Sequence, residues 1–316
     1  MYIDLSKFSR KQILKLLGVL VLSDGWLYMT KNRGYIRLLT SEKSTEQHNL
    51  FYQLCKKLSN KEPKRYVIFR ESGFGKPSKF IQSNLTDMSL ITELLNLSPT
   101  FKTTKGKESY QDFLKSNQPS IKFIFNESDD FKKACLSVWF DFDGSISPTI
   151  KLKHKKDRKG GRIYNYYQVQ LEIDIQIAET NPTLVKELLD LCRSMNLKCR
   201  IKHNKRNWSG IDGIVISEIE SVKKFIDIGP ATNVPISMKS NRFCGIEKKT
   251  ICEVVNSILK ENIVLSKSFK DMEEALKYRQ RLRSLLYNKI TQVAPSYSGQ
   301  RDSRLCMVGS GPIDPG

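Results

Sequence analysis

Two aspartates, Asp24 and Asp143, stand in the same local setting. Each closes an apolar run and is followed by glycine: Leu16-Leu17-Gly18-Val19-Leu20-Val21-Leu22-Ser23-Asp24-Gly25, and Leu136-Ser137-Val138-Trp139-Phe140-Asp141-Phe142-Asp143-Gly144. A run that is apolar on every side reads as a buried helix. Ser9 is the expected N-cap of the first helix. Ser128 is the expected N-cap of the second, with Asp129 and Asp130 in the first turn, where the helix dipole favours acids. Gly25 and Gly144 fit the left-handed position that commonly stops a helix. Each acid then falls at the negative end of a helix dipole, where a carboxylate is disfavoured. If the two helices pack on each other, two carboxylates meet, and divalent cations are the natural compensation.

The elements that would position these acids also occur twice. After Gly25, residues 26–40 read as a hairpin turning at Lys31-Asn32-Arg33-Gly34, followed by a helix over 45–58. A second hairpin spans 64–70 and 79–84, with Gly73 and Gly75 in its turn, and a short helix covers 88–97. The second half repeats this order: helix 128–143, strands 145–153 and 163–178, a helix from Asn181-Pro182 to Met195, a hairpin over 197–217 and a helix over 219–228. Two copies are too few for a solenoid. An internally duplicated α+β unit fits, with domains 1–118 and 119–293 meeting near Gln118-Pro119. Residues 250–259 and 271–289 read as further helices. Residues 294–316, rich in Gly, Pro and Ser, read as a flexible tail.

At these residues the chain resembles the LAGLIDADG family of homing endonucleases in its single-chain, two-motif form. The second copy, extended through Ile146, is the closer match; the first has Leu22 where the inner acid stands. The resemblance implies a duplicated αββαββα fold. Two motif helices would pack at a pseudo-twofold axis, forming an intramolecular pseudo-dimer with two curved antiparallel sheets. It implies that Asp24 and Asp143, helped by the carbonyls of Ser23 and Phe142, hold two or three Mg²⁺ ions. It further implies a lysine reaching the active site from the stretch after each repeat, for which Lys105 and Lys239 are the candidates and Lys102 a rival in register. The third and seventh motif positions, often small in the family, are Val19 and Ser23, and Val138 and Phe142, so the helix interface must pack somewhat differently.

A formal net charge of +20 over 316 residues favours a polyanionic partner. The alternation of residues 164–177 places Tyr167, Val169, Leu171, Ile173, Ile175 and Ile177 on one side of a strand. Tyr166, Gln168, Gln170, Glu172, Asp174 and Gln176 lie on the other, which has the chemistry to read base edges in a major groove. The run from Lys151 to Arg162 (with Lys153, Lys155, Lys156 and Arg158) reads as a loop tip contacting phosphates. A smaller basic patch holds Lys202 and Arg206, next to Arg200. In the first half Arg33, Arg37, Lys64, Arg70 and Lys79 are the candidate DNA contacts.

Other chemistries gain little support. Seven scattered cysteines without a C-x-x-C pair imply reduced thiols and an intracellular setting, organelles included. Cys192, Cys199 and His203 lack a fourth metal ligand. His48, His154 and His203 lie in polar stretches without a triad, and there is no phosphate-binding loop motif. No apolar run reaches the roughly 18 residues of a membrane span, and no signal-peptide pattern opens the chain. The expected function is a site-specific double-strand DNA endonuclease with a long asymmetric target, bound without an obligate protein partner. The alternative is an RNA maturase acting on a group I intron. A regulator that had lost the chemistry should have lost a motif acid, and both are present.

Overall fold

The computed structural model describes residues 3–72, 75–159, 161–236, 243–261 and 265–293. The first repeat runs α1 (Arg10–Ser23), β1 (Gly25–Met29), β2 (Gly34–Ser41), α2 (Thr45–Leu58), β3 (Lys64–Ser72), β4 (Gly75–Leu85) and α3 (Met88–Leu95). A one-and-a-half-turn helix, α4 (Tyr110–Lys115), lies in the connection. The second repeat runs α5 (Asp129–Asp143), β5 (Gly144–Lys159), β6 (Arg162–Ile177), α6 (Pro182–Ser194), β7 (Arg200–His203), β8 (Ile211–Ile216) and α7 (Ile219–Ile228). Then come α8 (Lys248–Lys260), β9 (Ser266–Phe269) and α9 (Met272–Val293). Both repeats thus have the order αββαββα. The first forms an antiparallel sheet in the order β1-β2-β4-β3, and the second a sheet in the order β5-β6-β8-β7, with β9 added on β6.

Local chemistry fixes where the motif helices begin. The Ser9 side chain accepts from Gln12 N–H while the Gln12 side chain accepts from Ser9 N–H, a reciprocal cap. Ser128 accepts from Phe131 N–H in the same way. Their ends differ from expectation. Gly144 is extended (φ −90°, ψ 152°) and Gly25 is not among the glycines with positive φ. Helix α5 passes directly into β5 and only Asp24 separates α1 from β1, and glycine is required for space. A Cβ on Gly25 would lie 2.6 Å from Val21 Cα, and one on Gly144 2.3 Å from the Phe140 carbonyl oxygen.

Three further expectations are corrected. The basic stretch 151–162 is strand for most of its length, because β5 continues to Lys159. Its side chains from His154 to Arg158 are exposed, and solvated lysines on a hairpin do not oppose strand pairing. Strand β9 pairs with β6 from Tyr167↔Phe269 to Gln170↔Ser266; four largely polar residues gave it no alternation to be recognised by. Helix α4 was too short to show a period. The burial of β6 alternates from Gln168 to Ile177, with Val169, Leu171, Ile173, Ile175 and Ile177 inside. The alternation expected from Tyr164 does not extend that far, since residues 162–165 are exposed and Tyr166, Tyr167 and Gln168 are all half-buried.

The described chain gathers into two compact units, one from the described residues of 3–149 and 172–252, the other from those of 150–171 and 253–293. In the first, every residue of α1 from Ile13 to Leu22 is buried. Large aliphatic side chains contribute about 1.5–3 kcal/mol each on full burial, which explains a helix without a wet face. The buried Lys15 in this run pairs with Glu127. Ile36 and Leu38 on the inner face of the first sheet complete this core with Phe51, Leu54, Ile91 and Leu94. In the second unit His154 stacks on Tyr167, with ring centroids 5.2 Å apart, and Phe269 packs against Tyr278. Residues 294–316, expected to be a tail, lie outside the described residues.

Candidate active site

Helices α1 and α5 lie against each other. Near their N-terminal ends Gln12 Nε2 donates to Glu127 Oε2 at 2.9 Å, and Phe131 meets Phe8 edge-on at 5.4 Å. At the opposite ends the two helices deliver Asp24 and Asp143. The Asp24 N–H donates to the Leu20 carbonyl at 3.2 Å, and the Asp143 carbonyl accepts from Ala178 N–H at 2.8 Å. Asp24 reaches solvent and Asp143 does so in part, whereas the neighbouring Asp141 is wholly buried.

The two acids feel each other. Burial raises the Asp143 pKa well above the usual carboxylate range, and the charges of Asp24 and Glu179 push it the same way. Surrounding protein pushes Asp24 up to about 6, opposed by the charge of Lys248. The solvent beside this side chain tempers that rise.

Lys248 is the counter-charge. Its buried Nζ donates to the carbonyls of Phe140 at 2.7 Å and Asp141 at 2.9 Å. Burial pulls its pKa down to about 8, against the charges of Asp141, Asp143 and Asp24. Gln47 Nε2 also donates to the Asp141 carbonyl, at 2.8 Å. The last carbonyls of α5 are therefore met by side-chain donors, one of them a cation, as the negative end of a helix requires. A pocket beside these groups is lined by Asp24, Thr40, Ser41, Ser44, Gln47, Asp141, Phe142, Val234, Pro235 and Lys248.

Two further carboxylates are anchored. Asp141 accepts from Ala231 N–H at 3.0 Å and Thr232 Oγ1 at 2.7 Å, tying the segment after α7 to α5; burial pushes it up to about 7. Glu179 accepts from the N–H groups of Thr180 and Asn181, each at 2.7 Å, and burial also pushes it up to about 7.

Among the described residues no three His, Cys, Asp or Glu side chains form a metal-holding group. What the site offers is a pair of carboxylates, the carbonyls beside them, and more acids than Lys248 alone can offset. Hard oxygen donors with excess negative charge suit Mg²⁺ or Ca²⁺ rather than a thiophilic metal. Asp24 and Asp143 are the side chains of this site that could take such an ion, and the carbonyls of Ser23 and Phe142 stand next to them in the chain.

The other expected site residues fall as follows. Lys105 Nζ donates to the Glu108 carbonyl at 3.1 Å, and Lys102 pairs with the Glu108 carboxylate at 2.5 Å. Lys239 lies outside the described residues. Arg33 closes the β1–β2 turn, where its carbonyl accepts from Thr30 N–H at 2.7 Å. Arg37 on β2 lies over the Trp26 and Tyr35 rings. Lys64 and Arg70 are on β3, and Lys79, on β4, sits over the Phe69 ring. Lys151, Lys153, Lys155, Lys156 and Arg158 lie along β5; Arg162, Tyr166, Gln168, Gln170 and Glu172 lie along β6. Gln168 Nε2 donates to Ser266 Oγ at 2.8 Å. Arg200 and Lys202 are on β7, where Lys202 pairs with Asp212 at 3.0 Å, and Arg206 is in the loop that follows.

Sequence reasoning missed Lys248 and Glu179, and it read His48 as lying in a polar stretch. His48 is buried between the hydroxyls of Thr40 (2.9 Å) and Ser83 (2.7 Å), and burial lowers its pKa to about 4.

No family model matches the sequence, and no curated protein does. Similar solved structures include the homing endonuclease I-WcaI bound to its DNA recognition sequence: 14% identical, over 70% of this chain and 81% of that one, TM-score 0.42. Another is the LAGLIDADG homing endonuclease I-GzeII in complex with its DNA target: 9% identical, over 89% and 96%, TM-score 0.45. A third is the N-terminal LAGLIDADG domain of DUF199/WhiA: 13% identical, over 71% and 84%, TM-score 0.37. The two motif copies, the repeated αββαββα order and the packing of α1 on α5 give this chain an internally duplicated α+β architecture, and it is similar to these LAGLIDADG structures over most of its length.

Proposed function

We propose that this chain is a divalent-metal-dependent endonuclease that cuts both strands of DNA at a long, asymmetric target. The observation carrying this reading is the pair of solvent-reaching acids at the ends of two packed, buried helices, with Lys248 behind them. A formal charge of +20 supports a polyanionic substrate. An Mg²⁺ ion held by Asp24 and Asp143 would supply charge neutralisation at a scissile phosphate. In each strand, the oxygen of water adds to phosphorus as the bond to the leaving sugar oxygen breaks; the water gives up a proton to solvent and the leaving oxygen takes one up. The chain holds Asp24 and Asp143 in fixed positions through the rigid ends of α1 and α5. Lys248 keeps the acids more acidic than burial alone would leave them.

The test is incubation with a library of long duplex targets and Mg²⁺, scored for double-strand cuts. Asp24→Asn and Asp143→Asn should each abolish cutting while leaving binding in Ca²⁺ largely intact. Normal two-strand cutting by either variant would overturn the assignment.

A further inference from the structure

The outer face of the first sheet has a chemistry of its own. Helices α1, α2 and α3 pack on the other face, where Ile36 and Leu38 are buried. Cross-strand partners share a face. Trp26 pairs with Arg37 and Tyr28 with Tyr35, and along β2 the outer positions continue through Leu39. Tyr28 and Tyr35 stack at 5.0 Å and 24°, and Trp26 meets Tyr35 edge-on at 6.3 Å. The Arg37 guanidinium carbon lies 5.3 Å from the Trp26 ring centre and 4.7 Å from that of Tyr35, while Arg37 Nε donates to Asn84 Oδ1 at 3.1 Å. Trp26 is 53% exposed and Tyr28 39%.

On a surface whose substrate is polyanionic, such a cluster is an unusual thing to leave open. Bases in duplex DNA offer mainly polar edges; the one apolar group in the major groove is the thymine 5-methyl. The outer face of the second sheet carries a polar network across β6, β7 and the start of β8, with Lys202 Nζ donating to Gln176 Oε1 at 2.7 Å and pairing with Asp212. We infer that the first sheet reads its half of the target through thymine methyl groups, which pack on Trp26, Tyr28, Tyr35 and Leu39. The second sheet reads its half by hydrogen bonds. Charge complementarity names the occupant: Arg37 and the exposed Lys64 border the aromatic cluster, bringing a phosphate backbone to it. This inference rests on the reading of the chain as a protein that binds duplex DNA.

The experiment uses wild-type protein and a target recovered from the library, with deoxyuridine replacing thymidine in one half at a time. Uracil pairs as thymine does and lacks only the methyl. Removing one buried methyl should weaken binding in Ca²⁺ about fourfold. The loss should be confined to one half of the target, and Trp26→Ala should bind the thymidine and deoxyuridine targets alike. Equal affinity of wild-type protein for both targets in both halves would overturn the inference, as would an equal loss on both targets from Trp26→Ala. Tighter binding of single-stranded oligonucleotides, with quenching of Trp26 fluorescence, would also overturn it by making the cluster a base-stacking platform. A library that yields no bound or cut duplex would instead count against the proposed function itself.

Discussion

At the ends of α1 and α5 one ammonium stands among several carboxylates, and its removal probes the proposed chemistry directly. Lys248→Met takes away the charge that lowers the pKa values of Asp24, Asp141 and Asp143. An acid must be ionised to take a cation, so a higher pKa means competence is lost at higher pH as the solution is acidified. The acid limb of the rate–pH profile should therefore move up by about one unit, equivalent to ~1.4 kcal/mol. Single-turnover cutting across pH 5–9 checks this, and an unmoved limb would show that Lys248 only fills space. His48 gives a second test, on stability. Its folded-state pKa of about 4 lies below the ordinary 6.5, so the unfolded chain binds the extra proton between these values. The stability it confers is present above pH 6.5 and fades as pH falls toward 4, by on the order of 3 kcal/mol at most. His48→Gln should flatten that acid loss in denaturant titrations; an unchanged slope would contradict it. Asp24 and Asp143 were legible because an acid interrupts an apolar run. Lys248 was not: in Glu247-Lys248-Lys249 it reads as an ordinary surface charge, and only tertiary packing buries it.

Among the elements, the helix-to-strand junctions carry the tightest constraint. Gly144→Ala would drive a Cβ into the Phe140 carbonyl and ring, with no turn to absorb the shift. It should cost about 3 kcal/mol or more by overpacking, read as a fall in the denaturation midpoint. A midpoint within error of wild type would show that the junction can relax. Strand β6 was readable over its C-terminal part, because one wetter and one buried face impose period two on the sequence from Gln168 on. Gln170→Ala should therefore relax sequence preference with little loss of stability, whereas Leu171→Ala, buried at 6% exposure, should cost about 2–5 kcal/mol. The reverse pattern would contradict the face assignment. The basic hairpin was misread as loop because charge density resembles a linker, yet a strand with wet faces tolerates it. Lys155→Ala with Lys156→Ala should lower the slope of log affinity against log salt by up to about 0.9 for each phosphate no longer neutralised. An unchanged slope would mean these lysines are only solvated.

For the whole molecule, duplication within one chain has a consequence for assembly. Both motif acids are supplied by a single polypeptide, so nothing in the acid pair calls for a second copy. The repeats have also diverged. Asp141, which anchors the segment after α7, has Leu22 as its counterpart, and Lys248 donates to the end of α5. The aromatic outer face of the first sheet has its counterpart in the Gln176–Lys202–Asp212 network of the second. Two halves with different chemistry cannot both be satisfied by a palindrome, whose arms present the same base edges to each. One chain per duplex, on a target whose two arms differ in sequence, is therefore expected. Sedimentation of the complex in Ca²⁺ should give the mass of one chain plus DNA, and footprinting should show unequal arms. Two chains on a palindromic site would sink this reading, because the second copy would then be supplying what the repeat within this chain is argued to provide.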